Sequence, residues 1–112
     1  MKRGGWTYIL ASKPNGTLYT GVTSDLIGRV AKHRSGYYSG AFTRRYGVYR
    51  LVYYEGFTSI AEAIAREKQL KGGSRKQKIE LITTMNPQWS DLYPPLIAQA
   101  EAPTRASSRG PS

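Results

Sequence analysis

Large and small or polar residues alternate from Trp6 to Ser12 (WTYILAS), a period of two that predicts a β-strand. KPNGT follows, and Asn15-Gly16 favours a two-residue hairpin turn because both residues tolerate positive φ. The return strand is Thr17 to Thr23, TLYTGVT. With Asn15 and Gly16 as the whole loop, paired positions sum to 31, so Tyr8 faces Thr23, and Tyr8, Tyr19 and Gly21 share one sheet face.

The period then lengthens. Leu26, Ile27, Val30 and Ala31 form the apolar stripe of a helix over about Asp25 to Arg34, with Ser24 or Thr23 as its cap and Asp25 in its first turn. Arg29 and His33 fall together on one edge of that stripe. Ser35 to Gly47 is a basic loop rich in Gly and Tyr, and Val48 to Glu55 (VYRLVYYE) predicts a third strand. Thr58 to Gly72 is the clearest helix, starting at Thr58 or Ser59 and ending at Gly72-Gly73. Ser74 and Gln77 form a capping box for a last helix reaching about Thr83. Past Asn86-Pro87 the apolar anchors thin to Trp89, Leu92 and Tyr93. The predicted domain spans 1–96, and 97–112 has the composition of a disordered tail. The order β-β-α-β-α-α predicts an α+β fold, a small three-stranded antiparallel sheet flanked by helices.

One position breaks its pattern. The stripe of the Thr58 to Gly72 helix runs Ile60, Ala63, Ile64, Glu67, Leu70, which places a carboxylate in a core-facing slot while Glu62 and Arg66 point away. A buried carboxylate is costly unless it is paired, hydrogen-bonded or bound to a metal. Lys71, four residues on, or Arg29 is the structural partner to weigh against a role as metal ligand or acid/base group. Position alone does not choose. His33 by itself would be an ordinary half-buried helix histidine, and Tyr8 and Tyr19 ordinary strand residues. Gly21 says more, since a glycine inside a strand marks a bulge or a close approach.

Charge points to a partner. Seventeen Lys and Arg against seven Asp and Glu leave a formal net charge of +10, and all but Arg105 and Arg109 precede Glu80. A basic domain with nine Tyr and two Trp suits a polyanion with stackable bases, namely nucleic acid. There is no cysteine and one histidine, so thiolate zinc sites, multi-His metal sites and Cys/His dyads are excluded. No phosphate-binding GxxxxGK loop, HExxH or GxSxG occurs. Neither a signal peptide nor a membrane span is predicted, which makes the cytoplasm the expected compartment.

WTYIL, then YTG about ten residues later, SDLIGRVAKH, and a helix bearing AREKQLK together resemble the GIY-YIG nuclease domain. The resemblance is to small bacterial stand-alone members, similar to the N-terminal catalytic domain of the excision-repair nuclease. It runs from about Gly5 to Pro95 and takes in TRRYGVYRLVYYE and NPQWSDLYP. Trp6-Thr7 replaces the first Gly-Ile and Thr20 replaces the second Ile; Thr20 should face away from Tyr19. The resemblance implies Tyr8, Tyr19, Arg29, His33 and Glu67 as the catalytic set. Glu67 would hold one divalent metal ion, Mg²⁺ or Mn²⁺, and Gly21 would be structural. The implied substrate is DNA, with RNA not excluded, and neither a membrane nor a small-molecule cofactor is implied.

In that scheme Arg29 clamps a non-bridging phosphate oxygen. A phenol, with a pKa of about 10, is a poor base in water unless cations lie close by. Tyr19 is the preferred base, with Tyr8 or His33 orienting it or the water. Arg44, Arg45, Tyr46 and Lys71 are the expected nucleic-acid contacts, with Tyr37 and Tyr38 as further stacking surfaces. No separate targeting domain is read from the sequence, so cutting is expected to be structure-selective or weakly sequence-selective. The competing expectation is a non-catalytic nucleic-acid-binding module of the same fold, which would have no need of a core-facing Glu67.

Overall fold

The computed structural model describes residues 4–37 and 45–101. Strand β1 (Gly5–Ala11) lies between β2 (Leu18–Thr23) and β3 (Arg50–Phe57) in an antiparallel sheet of order β2-β1-β3. As the central strand, β1 is covered on both faces, which explains why it is apolar nearly throughout. Tyr8 and Leu10 face Leu26 and Val30 of helix α1 (Leu26–Ser35), together with Val48 and Leu51. Ile9 and Ala11 face Leu70 of α2 (Ile60–Gly72), Ile82 of α3 (Arg75–Met85) and Trp89. The α+β architecture, a three-stranded antiparallel sheet flanked by helices, is the one the sequence predicts.

The hairpin differs in register. The turn centres on Pro14-Asn15: Gly16 N donates to Lys13 O at 2.8 Å, and Asn15 takes φ 59°. Proline presets the first central position of such a turn and asparagine tolerates positive φ at the second. Ser12 N donates to Thr17 O, and Thr17 N to Ser12 Oγ, so the loop holds four residues and not two. Tyr8 therefore pairs with Gly21, whereas a two-residue loop would pair it with Thr23. The slip is by two positions, so Tyr8, Tyr19 and Gly21 keep their common face.

Helix α1 is capped by Asp25 itself, whose Oδ1 accepts from Gly28 N at 3.1 Å, so Asp25 precedes the first turn instead of lying in it. The helix ends at Gly36, in the left-handed region with φ 79°. Helix α3 begins with the capping box expected, Ser74 with Gln77, and α2 starts at Ser59, one of the two expected starts, with a capping box to Glu62 that was not expected. Helix α2 touches the sheet along a narrower ridge than its spacing predicts. Ala63 and Leu70 are buried, but Ile60 and Ile64 are 41% and 37% exposed. The small Ala63 allows a close approach, and its carbonyl accepts from the buried Thr7 hydroxyl at 2.8 Å. Arg66, expected to point outward, is half-buried, because Glu55 Oε1 accepts from its Nε at 3.1 Å.

Strand β3 begins and ends two residues later than predicted and carries a bulge opposite Ile9/Leu10. The polar groups of its outer edge are satisfied by the chain that follows α3. Asn86 Nδ2 donates to Val52 O, Leu92 N donates to Leu51 O at 2.8 Å, and Asp91 Oδ1 accepts from Leu51 N at 3.2 Å. A fourth helix, α4 (Tyr93–Glu101), then packs near α1, passing the domain end expected at residue 96; residues 102–112 lie outside the described ones. Asp91 Oδ2 accepts from Arg34 at 2.8 Å, and the Arg34 guanidinium sits 4.6 Å from the Tyr93 ring centre. This tie fixes α1, the helix bearing Arg29 and His33, against the end of the domain.

Candidate active site

Three rings meet where α1 crosses the sheet. Tyr8 is fully buried and His33 is 5% exposed. The Tyr8 hydroxyl lies 3.3 Å from His33 Nε2. The ring centres of Tyr19 and His33 are 5.3 Å apart, and Tyr8 is 6.3 Å from each. Of the three, Tyr19 is the one that opens to solvent, lining a recess of about 370 Å³ with Leu18, Thr20, Lys71 and Lys78.

Gly21 makes the arrangement possible. A Cβ on Gly21 would lie 2.5 Å from both Cζ and the hydroxyl oxygen of Tyr8, inside any normal contact. The phenol lies across its paired residue in the space a side chain would take. Thr20 pairs with Ile9 and is buried on the opposite face, as expected for a residue facing away from Tyr19.

Burial pushes the His33 pKa down from its ordinary value, and the Arg29 charge, one helical turn earlier, lowers it further. The ring is therefore neutral at pH 7. With its proton on Nδ1 it can accept the Tyr8 hydroxyl at Nε2.

Glu67 is largely covered, its side chain 13% exposed, and its Oε2 is 2.6 Å from Lys71 Nζ. Lys71 is 54% exposed and borders the Tyr19 recess, so the pair ties the Glu67 carboxylate to the site. No group of three or more His, Cys, Asp or Glu able to hold a metal occurs among the described residues. A zinc-type cage has no counterpart there. A single sheltered carboxylate does suit Mg²⁺, which keeps several waters and is held by one or two carboxylates plus substrate phosphates.

The structure thus brings Tyr8, Tyr19 and His33 together against α1, with Arg29 one turn before His33 on that helix, while from α2 Lys71, paired with Glu67, borders the recess beside Tyr19. Arg45 and Tyr46 lie exposed ahead of β3, the Arg45 guanidinium 5.6 Å from the Tyr46 ring centre. Arg44 and Tyr38 fall outside the described residues. Exposed Tyr37 stands under Lys32 Nζ at 4.9 Å from its ring centre. Lys78 and Arg75 were not singled out from the sequence. They belong to another helix and reach the edge of β2 only through the α2–α3 corner.

The GIY-YIG catalytic domain matches residues 4–80, and the chain belongs to that family of nuclease domains. Among its relatives is the UPF0213 protein SH2523 of Staphylococcus haemolyticus, 41% identical over 78 residues, which are 69% of this chain and 92% of that one. The UPF0213 protein BH0048 of Halalkalibacterium halodurans is 42% identical over 79 residues, 70% of this chain and 81% of that protein. The solution NMR structure of the UPF0213 protein BH0048 from Bacillus halodurans aligns at 34% identity with a TM-score of 0.49. The alignment covers 78% of this chain and 90% of that one. Among the described residues no helix is long and apolar enough to cross a membrane.

Proposed function

We propose that the protein is an endonuclease that hydrolyses phosphodiester bonds in DNA with one divalent metal ion, Mg²⁺ or Mn²⁺, in a structure-selective or weakly sequence-selective way. The observation that carries this reading is the sheltered Glu67 joined, through Lys71, to the recess that Tyr19 opens. Glu67 is the residue that would hold the ion, which when bound supplies charge neutralisation at the phosphate and the departing 3′ oxygen.

The remaining work falls to the chain's own groups. Tyr19, at the mouth of the recess, takes the proton of the attacking water on its phenolate oxygen as the water oxygen bonds to phosphorus and the P–O3′ bond breaks, and the departing 3′ oxygen picks up a proton from solvent. Arg29 donates to a non-bridging oxygen and steadies the developing negative charge. Tyr8, fully buried, meets no substrate. It positions the His33 ring, and His33, neutral and 5.3 Å from the Tyr19 ring, orients the phenol. A Lys71 ammonium half open to the recess offers a second cation to the phosphate.

A panel of labelled single-stranded, duplex, flap and branched DNA, plus RNA, incubated with pure protein in Mg²⁺, Mn²⁺ or EDTA tests the proposal. Metal-dependent cutting of at least one DNA form is expected. Folded protein that cuts nothing in any condition, or cuts equally in EDTA, would overturn it.

A further inference from the structure

A second recess continues the first. The one beside Tyr19 is lined by Lys71 and Lys78; its neighbour, of about 320 Å³, is lined by Thr17, Leu18, Thr20, Arg75 and the same Lys78. Together they form a groove along the outer edge of β2, the free side of an edge strand in the order β2-β1-β3. No acidic residue lines either recess among the described residues. Lys78 Nζ donates only to the Gly73 carbonyl at 3.0 Å among the described hydrogen bonds, and Arg75 donates to the carbonyls of Asn15 and Gly16, both at 2.8 Å. Both cations are thus held in place by neutral acceptors, and neither enters an ion pair among the described residues. Their charge is oriented along the groove and not cancelled.

We infer that this groove carries the phosphodiester backbone of the polynucleotide away from Tyr19, with Lys78 and Arg75 as phosphate contacts beyond Lys71. The inference rests on the endonuclease reading and adds the path of the strand to it. From Thr20 to Thr17 the edge runs about 10 Å at the usual rise of a strand. That is longer than one nucleotide of a strand, whose axial rise in a duplex is about 3.4 Å, so successive phosphates fit along it. The occupant is a run of phosphates and not one, because the cations are spread over two successive recesses along the edge instead of converging on one point.

The test is metal-free binding, which needs no turnover. A labelled single-stranded oligonucleotide is titrated in EDTA at several salt concentrations with wild type, Arg75→Ala/Lys78→Ala, and a charge-matched control, Lys68→Ala/Lys76→Ala. Both control residues line neither recess. Each lost single-strand phosphate contact flattens the log–log salt slope by about 0.7, so the groove pair should flatten it by about 1.4 and the control pair should not. Arg75 also braces the hairpin turn, so Lys78→Ala alone, with an expected change of about 0.7, keeps the test valid if the double variant folds poorly. An unchanged slope in the groove variants would overturn the inference, as would equal changes in both pairs or competition by inorganic phosphate as strong as by the oligonucleotide. In those cases wild type still binds and the endonuclease reading stands. Wild type that binds no oligonucleotide would sink both.

Discussion

Replacing Gly21 with alanine adds one methyl group at the most constrained point of the site. That carbon would sit 2.5 Å from Cζ and the hydroxyl of Tyr8, where ordinary carbon contacts need about 3.5 Å or more. Tyr8 is fully buried, so its ring cannot swing aside into solvent; the ring or the β1–β2 pair must give by about 1 Å. Overpacking of this kind costs about 1–3 kcal/mol. For a domain of this size each kcal/mol lowers Tm by about 4–8 °C, which gives a fall of between about 4 and about 24 °C. The displaced hydroxyl also leaves His33 Nε2, now 3.3 Å away, and an error of about 1 Å in a catalytic constellation costs about 10²-fold in rate. Thermal unfolding, the NMR signals of the His33 ring and single-turnover cleavage read the three consequences. Gly72→Ala is the control, since a Cβ there meets nothing within 4 Å and should leave Tm unchanged or raised. If Gly21→Ala melts with wild type and leaves the His33 signals and the rate unchanged, Tyr8 is not seated by that glycine and the account of the site fails.

Glu67→Gln should keep or raise Tm in metal-free buffer, because the isostere removes a largely covered charge while Lys71, 54% exposed, can turn to water; a clear loss of stability would make the ion pair structural. Arg29→Ala should lower the single-turnover rate by about 10²–10³-fold with a smaller change in DNA affinity, and a defect confined to affinity would move Arg29 to the binding surface. The lowered His33 pKa means the unfolded chain takes up that proton first as pH falls below 6.5, so stability should decline from there through the folded-state pKa and stay level above 6.5. Melting curves from about pH 7.5 down to about 5 check this, and His33→Gln should flatten the dependence.

What could be read from the sequence was local or periodic. The helix start at Ser59 and the capping box at Ser74 lie in contiguous residues, and so does the alternation that sets Tyr8, Tyr19 and Gly21 on one face. The tight apposition of Tyr8 and Gly21 was not readable, because it needs the register, and the register turned on Pro14-Asn15 outcompeting Asn15-Gly16 for the turn. Helix α4 was hidden by Pro94-Pro95, which reads as a break. Prolines are tolerated in a first helical turn, where the N–H groups have no intrahelical partner, and that is where these two sit. Glu67 stood out because it interrupts an apolar stripe, although both isoleucines of that stripe are exposed. Arg75 and Lys78 had no such signal, since only the packing of α3 beside the hairpin brings them to β2.

If Glu67 and the Tyr19 recess form a metal-dependent phosphodiesterase site, single-turnover cleavage must depend on both the carboxylate and the ion. Pure wild type and Glu67→Gln, shown by thermal unfolding to be equally folded, are compared on the DNA form that wild type cuts best in the substrate panel, with Mg²⁺ and with EDTA. Cutting is expected only by wild type with Mg²⁺, while Glu67→Gln still binds the DNA. Full cutting by Glu67→Gln, or wild-type cutting that persists in EDTA, would contradict it.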